Sequence, residues 1–511
     1  MRLTICLLIT LMISLASIAQ SAPTDGVAVL KGLLADPDPK NVNMAILALR
    51  ATDDRDMVPL MQALSKSGNR GFRLFAVSSI SQLVWEKKNP VSPDQERQHL
   101  WTEKDAGPLL IDRIANDSDN TVRAEALQTL VDLKLQTGDI LMAAAKVGDE
   151  SVQCIAARAL VDMGRLDDAR MLLPKLVESK DPATSAMARM SLLAAGNTDM
   201  VTPLRQVIRD KATDTIIVSL LLEQIGDMKI AAARPIAEDA IAAEHLDPML
   251  KVRAYRALAA IDKNGAKMLA KAIAATDHRR FQCFMIRTLA ERPDSASALR
   301  TLAKLKDMPG ILARLELARG DKDLKGIAEP LDEAVQLGHP IVIEYVMDVA
   351  RKDARERHQA ADAYTPALLK FIQSVSRDET SMKPEHIQAA LAVKLLVELN
   401  SERSLAGVRK ITTGPYDALL RMTATGLYKC DNLPAACELA APLLKSVYED
   451  VRQDAAMTLG RNGDRRAMAE LTTIVSNSQD KPALLAVASW YLLKIQGKSA
   501  DAAKELAKTI K

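Results

Sequence analysis

Val451-Arg452-Gln453-Asp454-Ala455-Ala456-Met457-Thr458-Leu459-Gly460, followed by Gly463-Asp464, decides how this chain is read. The phrase recurs in degraded form along most of the length. Val122-Arg123-Ala124-Glu125-Ala126-Leu127 runs on to Leu130, and Val152 to Leu160 runs on to Gly164. Val252-Arg253-Ala254-Tyr255-Arg256-Ala257-Leu258 matches as well; Ala186 to Leu192 with Gly196, and Ile216 to Leu222 with Gly226, are weaker copies. Gly164 to Gly196 is about 32 positions and Gly196 to Gly226 about 30, the spacing of a two-helix repeat.

Each part of the phrase has a physical role. Apolar residues return at steps of three and four, so they form one stripe on a helix. Small residues at Ala124, Cys154, Ala254 and Cys283 let helices approach closely. Gly after the stripe suits a left-handed residue that ends a helix. Asp just beyond it, in Gly226-Asp227, Gly320-Asp321 and Gly463-Asp464, is placed to cap the next helix. Clusters such as Asp36-Pro37-Asp38-Pro39, Asn116 to Asn120, Asp181-Pro182 and Asp247-Pro248 separate the two helices of a unit.

The pattern resembles HEAT repeats, and within them the HEAT-like subtype named after phycobilisome lyases; 451–464 is the closest copy. The resemblance covers residues 30–511, or about thirteen units. It implies an all-α fold, a right-handed α-solenoid of stacked antiparallel helix pairs, in which each unit touches only its neighbours. In HEAT proteins an Arg near the start of the second helix pairs with a turn Asp of a neighbouring unit. The resemblance therefore implies a structural ladder of Arg123, Arg253 and Arg452 with Asp119, Asp247 and Asp450. The alternative is a row of guanidinium groups that reads an acidic partner.

Composition agrees with helices packed through small and flexible side chains. Only 3% of the 511 residues are aromatic, and Met alone numbers 21. Lys and Arg number 68 against 65 Asp and Glu, a net charge of +3. That balance gives no electrostatic case for nucleic acid or an anionic membrane. The densest charge stretch, Arg351 to Arg357, mixes signs and reads as a solvated helix face.

Residues 1–19 read as a signal peptide: Arg2, an apolar run from Ile5 to Ile18, and Ser17-Ile18-Ala19 at the cut, which falls after Ala19. The run is shorter than the ~20 residues that span a bilayer comfortably. The expected location is secreted or periplasmic, with no membrane span after signal removal. Residues 20–29 are read as a linker and 30–511 as the repeat array, with an insertion near 86–107 and an irregular stretch near 374–384. The C-terminal helix from Ser499, with Ser499 as its N-cap and Lys504 and Lys508 outward, is read as a polar terminal cap.

Cys154 and Cys283 fill the same small repeat position and read as buried thiols. Cys430 and Cys437 flank the turn Asp431 to Pro434, so they are candidates for a disulfide in an oxidising compartment. Two unpaired thiols are the favoured state of the pair, because helix geometry can hold their Cβ atoms too far apart, with the disulfide as the alternative.

No motif carries chemistry. The six His residues lack metal-ligand spacing, and no phosphate loop or nucleophile elbow is present. The chain is therefore expected to be no enzyme, with no catalytic, cofactor or metal site. The leading reading is an extracytoplasmic scaffold or adaptor that binds an unidentified protein over an extended concave surface. Trp85, Trp101, Tyr255, Tyr345 and Trp490 are candidate partner contacts, with core packing as the alternative. The rival readings are an accessory subunit or lyase-like enzyme of the repeat family, and a structural component of the cell envelope. The lyase activity itself is not carried over, because an exported chain would be in the wrong compartment for it.

Overall fold

The computed structural model describes residues 25–80, 83–84, 100–356, 360–375, 384–413, 418–430, 433–478 and 480–510. Residues 1–19, read as a signal peptide, lie outside them, as do Trp85, residues 86–99 of the expected insertion and residues 376–383 of the expected irregular stretch. Every regular element among the described residues is helical. The fold is an all-α solenoid of stacked helix pairs, from Gly26–Leu34 with Pro39–Arg50 to Met468–Asn477 with Pro482–Ile495. One further helix, Ser499–Ala507, follows.

Helix starts follow from short acidic caps. Asp25 accepts the Val27 amide at 3.1 Å, so the first helix begins at Gly26, inside the stretch read as linker. In Asp38-Pro39, Asp181-Pro182 and Asp247-Pro248 the Asp caps the second helix of its unit and Pro occupies the first helical position. Proline costs nothing there, because that amide has no intrahelical partner. Thr102 caps Glu103–Asn116 in the same way, so a helix already occupies the end of the expected insertion.

Helix ends divide into two kinds. Gly164 and Gly196 adopt φ of +74° and +96°, the left-handed stop expected of them. Gly226 and Gly320 do not: both remain helical, and Lys229 and Lys322 take the left-handed residue instead, at φ +52° and +57°. Accordingly Asp227 and Asp321 finish their own helices rather than capping the next. Gly226 packs on the next second helix, where a Cβ would stand 3.5 Å from the Ala257 Cα, an ordinary contact distance. Asp464 behaves as expected and caps the turn Arg465–Ala467 through the Arg466 amide at 2.9 Å.

The apolar stripes meet in one continuous core, to which Leu160, Leu221, Leu258 and Leu459 contribute fully buried side chains. Each such side chain contributes roughly 1.5–3 kcal/mol. Second helices pack on one another at nearly every step, whereas first helices do so only at some. The second row therefore follows the shorter, inner arc.

That arc closes. Pro482–Ile495 packs against Pro39–Arg50 and Gly26–Leu34 as well as its own neighbours. Ser499–Ala507 packs against Val58–Ser65 and the turn Arg55–Met57. Gly26 lies so near Pro482–Ile495 that a Cβ would stand 3.0 Å from Leu493 Cγ and 3.1 Å from the Ser489 carbonyl. On the inner side, Arg50 caps the Phe75 ring at 5.5 Å and donates to the Ser78 carbonyl at 3.0 Å, tying the first second-row helix to the next. The C-terminal helix is thus a closing element and not the polar terminal cap read from its lysines. Ser499 is its first helical residue, with Lys498 at the cap position, and its hydroxyl donates to Asp56 at 2.5 Å. Lys31 pairs with Glu505 across the same seam at 2.5 Å.

Candidate partner-binding face

On three consecutive second helices the inner face is a single stripe. Counting from the capping residue, the second, sixth, ninth and thirteenth positions fall on one side at 3.6 residues per turn. On Thr215–Asp227 these are Ile216, Leu220, Glu223 and Asp227, all exposed. On Pro248–Ile261 they are Met249, Arg253, Arg256 and Ala260. On Arg279–Ala290 they begin Arg280, Phe284 and Arg287.

Side chains on and beside this stripe bridge neighbouring units. Arg70 pairs with Asp119 at 2.7 Å, and Arg158 donates to Gln128 at 2.6 Å. Glu223 pairs with Arg253 at 3.1 Å and Arg287 with Asp348 at 2.6 Å. Glu398 draws Lys394 to 3.3 Å and Arg351 to 3.9 Å. Arg421 pairs with Asp450, and Thr425 donates to Asp454 at 2.7 Å. Burial raises the Asp454 carboxyl above its ordinary range, against the Thr425 hydrogen bond. Most of these pairs are exposed and individually worth about 0.2–1 kcal/mol. Their collective effect is to fix the lateral spacing of the row.

The expected ladder does not form between the residues assigned to it. Asp119 is occupied by the Thr121 and Val122 amides and by Arg70. Arg123 reaches the Val147 carbonyl instead. Asp247 is spent on the Met249 and Leu250 amides, at 2.6 and 3.0 Å, and Arg253 turns to Glu223. Arg452 pairs with Glu470 at 3.2 Å and donates to the Ser446 carbonyl at 2.9 Å, while Asp450 takes Arg421. Asp119 and Asp247 each cap through a single oxygen, and Arg123, Arg253 and Arg452 find other acceptors.

The rung that does form was missed. Arg73, buried, grips Asp117 with two hydrogen bonds of 2.9 and 3.1 Å, and Arg113 adds a third at 3.2 Å. The sequence signal was available: Asp117 stands two residues before the cap Asp119, and Arg73 four residues after the cap Asn69. The first Asp of Asp117-Ser118-Asp119 makes the rung and the second caps the helix.

Most of the aromatic residues proposed as partner contacts lie in the core. Trp101 is buried and donates to the Ser79 hydroxyl at 2.7 Å. Trp490 is buried against the seam and donates to Asp54 at 3.1 Å. Tyr345 is buried with its hydroxyl on Glu316. A large ring on an apolar stripe fills the inter-helix gap before it reaches solvent. Tyr255 is the exception, half-buried and edge-on to Phe281 with centroids 5.8 Å apart.

Tyr345 belongs to a buried polar cluster that sequence reading did not foresee. Arg319 forks onto Asp353 at 3.0 and 2.7 Å and also meets Glu316; the Tyr364 hydroxyl donates to Asp353 at 2.5 Å. Glu316, Tyr345, Asp353 and Tyr364 are all buried. Burial raises the Glu316 carboxyl, against the pull of Arg319 and the Tyr345 hydroxyl. The cluster joins Met308–Gly320 to Pro340–Glu356 and Ala361–Ser374 inside the protein.

Cys430 and Cys437 are both buried and not joined to each other. Their sulfurs face different neighbours, the Lys394 carbonyl at 3.9 Å and the Thr458 carbonyl at 3.8 Å. Burial pushes the Cys437 thiol up to about 11, Cys154 to about 11 and Cys283 to about 12. Among the described residues no group of His, Cys, Asp and Glu is placed to hold a metal ion. No helix among them is long and apolar enough to cross a membrane.

A family model of HEAT repeats matches residues 26–131. No curated protein matches the chain. Among solved structures, a mutant Kap121p is similar at 12% identity and a TM-score of 0.37, covering 92% of this chain and 56% of that one. Kap121p bound to Pho4p gives 11%, 0.36, 95% and 58%. A chain in a homology model of the AP-3 complex in an intermediate open conformation gives 11%, 0.35, 96% and 93%. The chain spans a little over half the length of these Kap121p chains.

Proposed function

We propose that this chain is a non-enzymatic scaffold that works outside the cytoplasm and holds a protein partner along its inner row of helices. The observation that carries the reading is the exposure of large apolar side chains on that row. Leu47 is 52% exposed, Ile216 64% and Ile387 53%, each on a second helix and each set among charged residues. Scattered apolar exposure is ordinary on a surface. Its recurrence on helices whose polar positions are already bridged to one another is what a shared contact surface requires. The HEAT repeats at 26–131 agree with a binding role, since stacked pairs present extended concave faces. The extracytoplasmic part rests on the apolar run and small-residue cut at residues 5–19. The likeness of 451–464 to the phycobilisome-lyase subtype bears on repeat type alone.

Site-specific photo-crosslinking in the organism tests this. A benzophenone side chain at 47, 216 or 387 is expected to capture the same protein, and one at Met171 on a first helix is not. Capture only from position 171, or different proteins from each inner position, overturns the reading. Amino-terminal sequencing of the extracytoplasmic fraction is expected to begin at Gln20; an intact Met1 in a cytoplasmic fraction overturns the location.

A further inference from the structure

We infer that the stretch of inner face formed by Thr215–Asp227, Pro248–Ile261 and Arg279–Ala290 is a docking site for an acidic polypeptide segment carrying apolar side chains. The inference rests on the scaffold reading and names the chemistry of its partner.

Three consecutive second helices are joined here by their own side chains. Glu223 and Arg253 bridge the first pair, and the Tyr255–Phe281 edge contact bridges the second. At 8–10 Å between packed helices, the face is roughly 20 Å wide. Ile216 and Leu220 stand exposed at one side, at 64% and 38%. Phe284 stands half-exposed at the other, with the Arg287 guanidinium 6.0 Å from its ring centroid. Aromatic residues are only 3% of the chain, so Tyr255, Phe281 and Phe284 on two adjoining helices concentrate a scarce resource.

Charge selects the occupant. Elsewhere along the second helices, guanidinium groups are taken up by acceptors of a neighbouring unit, as in Arg158–Gln128, Arg287–Asp348 and Arg421–Asp450. Arg256 and Arg280 stand on the same stripe, exposed, between the Leu220 side and the Phe284 side. Among the described residues neither has a carboxylate within 4.0 Å. Two exposed guanidinium groups with no carboxylate beside them, flanked by apolar side chains, are complementary to Asp or Glu alternating with Leu, Ile or Phe. A nucleic acid would satisfy the guanidiniums but leave Ile216 and Leu220 unmatched, and the near balance of 68 basic and 65 acidic residues gives it no wider attraction.

The test uses the full chain and three fluorescein-labelled peptides of equal length, built from Leu with Glu, Leu with Lys, and Ser with Glu. A single-stranded oligonucleotide serves as the fourth probe. Anisotropy is expected to show binding of the Leu–Glu peptide, weakening with added salt, and at least tenfold weaker binding of the other three. The double variant R256E/R280E is expected to weaken Leu–Glu binding on the order of tenfold and to let the Leu–Lys peptide bind. Its helical circular dichroism should be unchanged, because both side chains are exposed. Equal binding of the Leu–Lys peptide or the oligonucleotide, or no effect of R256E/R280E, overturns the proposal. If Leu47 and Ile387 still crosslink one common partner in that event, the scaffold reading survives and only this docking site falls. If those crosslinks also fail, both fall.

Discussion

The Asp54 carboxylate accepts a hydrogen bond from Trp490 Nε1 at 3.1 Å, across 436 positions of chain. The same oxygen accepts Lys494 Nζ at 2.8 Å, and the other carboxylate oxygen caps the turn that follows through the Asp56 amide at 3.1 Å. One nearly buried side chain thus starts a helix near one end of the array and holds the penultimate helix in place.

Asp54→Ala should therefore loosen both ends together. Trp490 Nε1 would be left buried without an acceptor, at a cost of about 1–3 kcal/mol, with the lost cap in addition. Hydrogen exchange is the measurement, because an array of this kind need not unfold in one step. Amides of 39–50 and 482–495 should lose protection to the same extent. Loss confined to one of the two segments would contradict closure.

Arg319→Met should be among the most damaging single changes. It strands Glu316 and Asp353 as buried carboxylates, which typically costs about 3–5 kcal/mol. The urea midpoint should fall accordingly. Arg170→Met, on an exposed pair with Asp167, should move it by less than about 0.5 kcal/mol.

Gly426→Ala probes close helix approach. The new methyl would sit 2.5 Å from the Ala390 carbonyl and 3.0 Å from Val393 Cβ. Backbone cannot yield as a side-chain tip can, so a loss of about 1–3 kcal/mol is expected. Gly32→Ala, where a Cβ meets nothing within 4 Å, should be neutral or mildly stabilising in thermal melts.

Asp239 supplies a pH signature. Arg205 binds it with two hydrogen bonds, at 2.7 and 3.1 Å, and Arg209 with a third at 2.9 Å; these hold its carboxyl below the ordinary value of 3.8. A depressed carboxylate stabilises the fold above its unfolded value, and the contribution is lost as pH falls through the folded one. Asp239→Asn should be less stable than the parent at pH 6, and the gap should narrow below pH 3.8. Denaturant midpoints across pH 2.5–6 would show it; a gap that widens in acid would refute the pairing.

The local grammar of the fold was legible because it is periodic. Asp181 and Asp247 cap their helices before Pro, and Gly164 and Gly196 stop theirs, as their positions imply. Failures came where one residue type serves two purposes. Asp119 and Asp247 look equally suited to capping and to rungs with Arg123 and Arg253; both cap, because the amides are adjacent in the chain, and those arginines pair elsewhere. Trp490 and Tyr345 look equally suited to a surface and to a core, and the core wins because a ring on the stripe is drawn into the gap between helices. Closure left no trace, since a contact such as Asp54–Trp490 belongs to no repeat. The inner-face pattern of Leu220, Arg256 and Phe284 emerged only once the capping residues fixed the helical register.

An open spiral of helix pairs can lengthen or tighten by small rotations shared among many joints. The seam that Gly26, Trp490 and Ser499 complete removes that freedom, for a hoop cannot change its girth without parting somewhere. A partner held by the inner row, as proposed, would have to suit a circumference already set, so size would select it as well as chemistry.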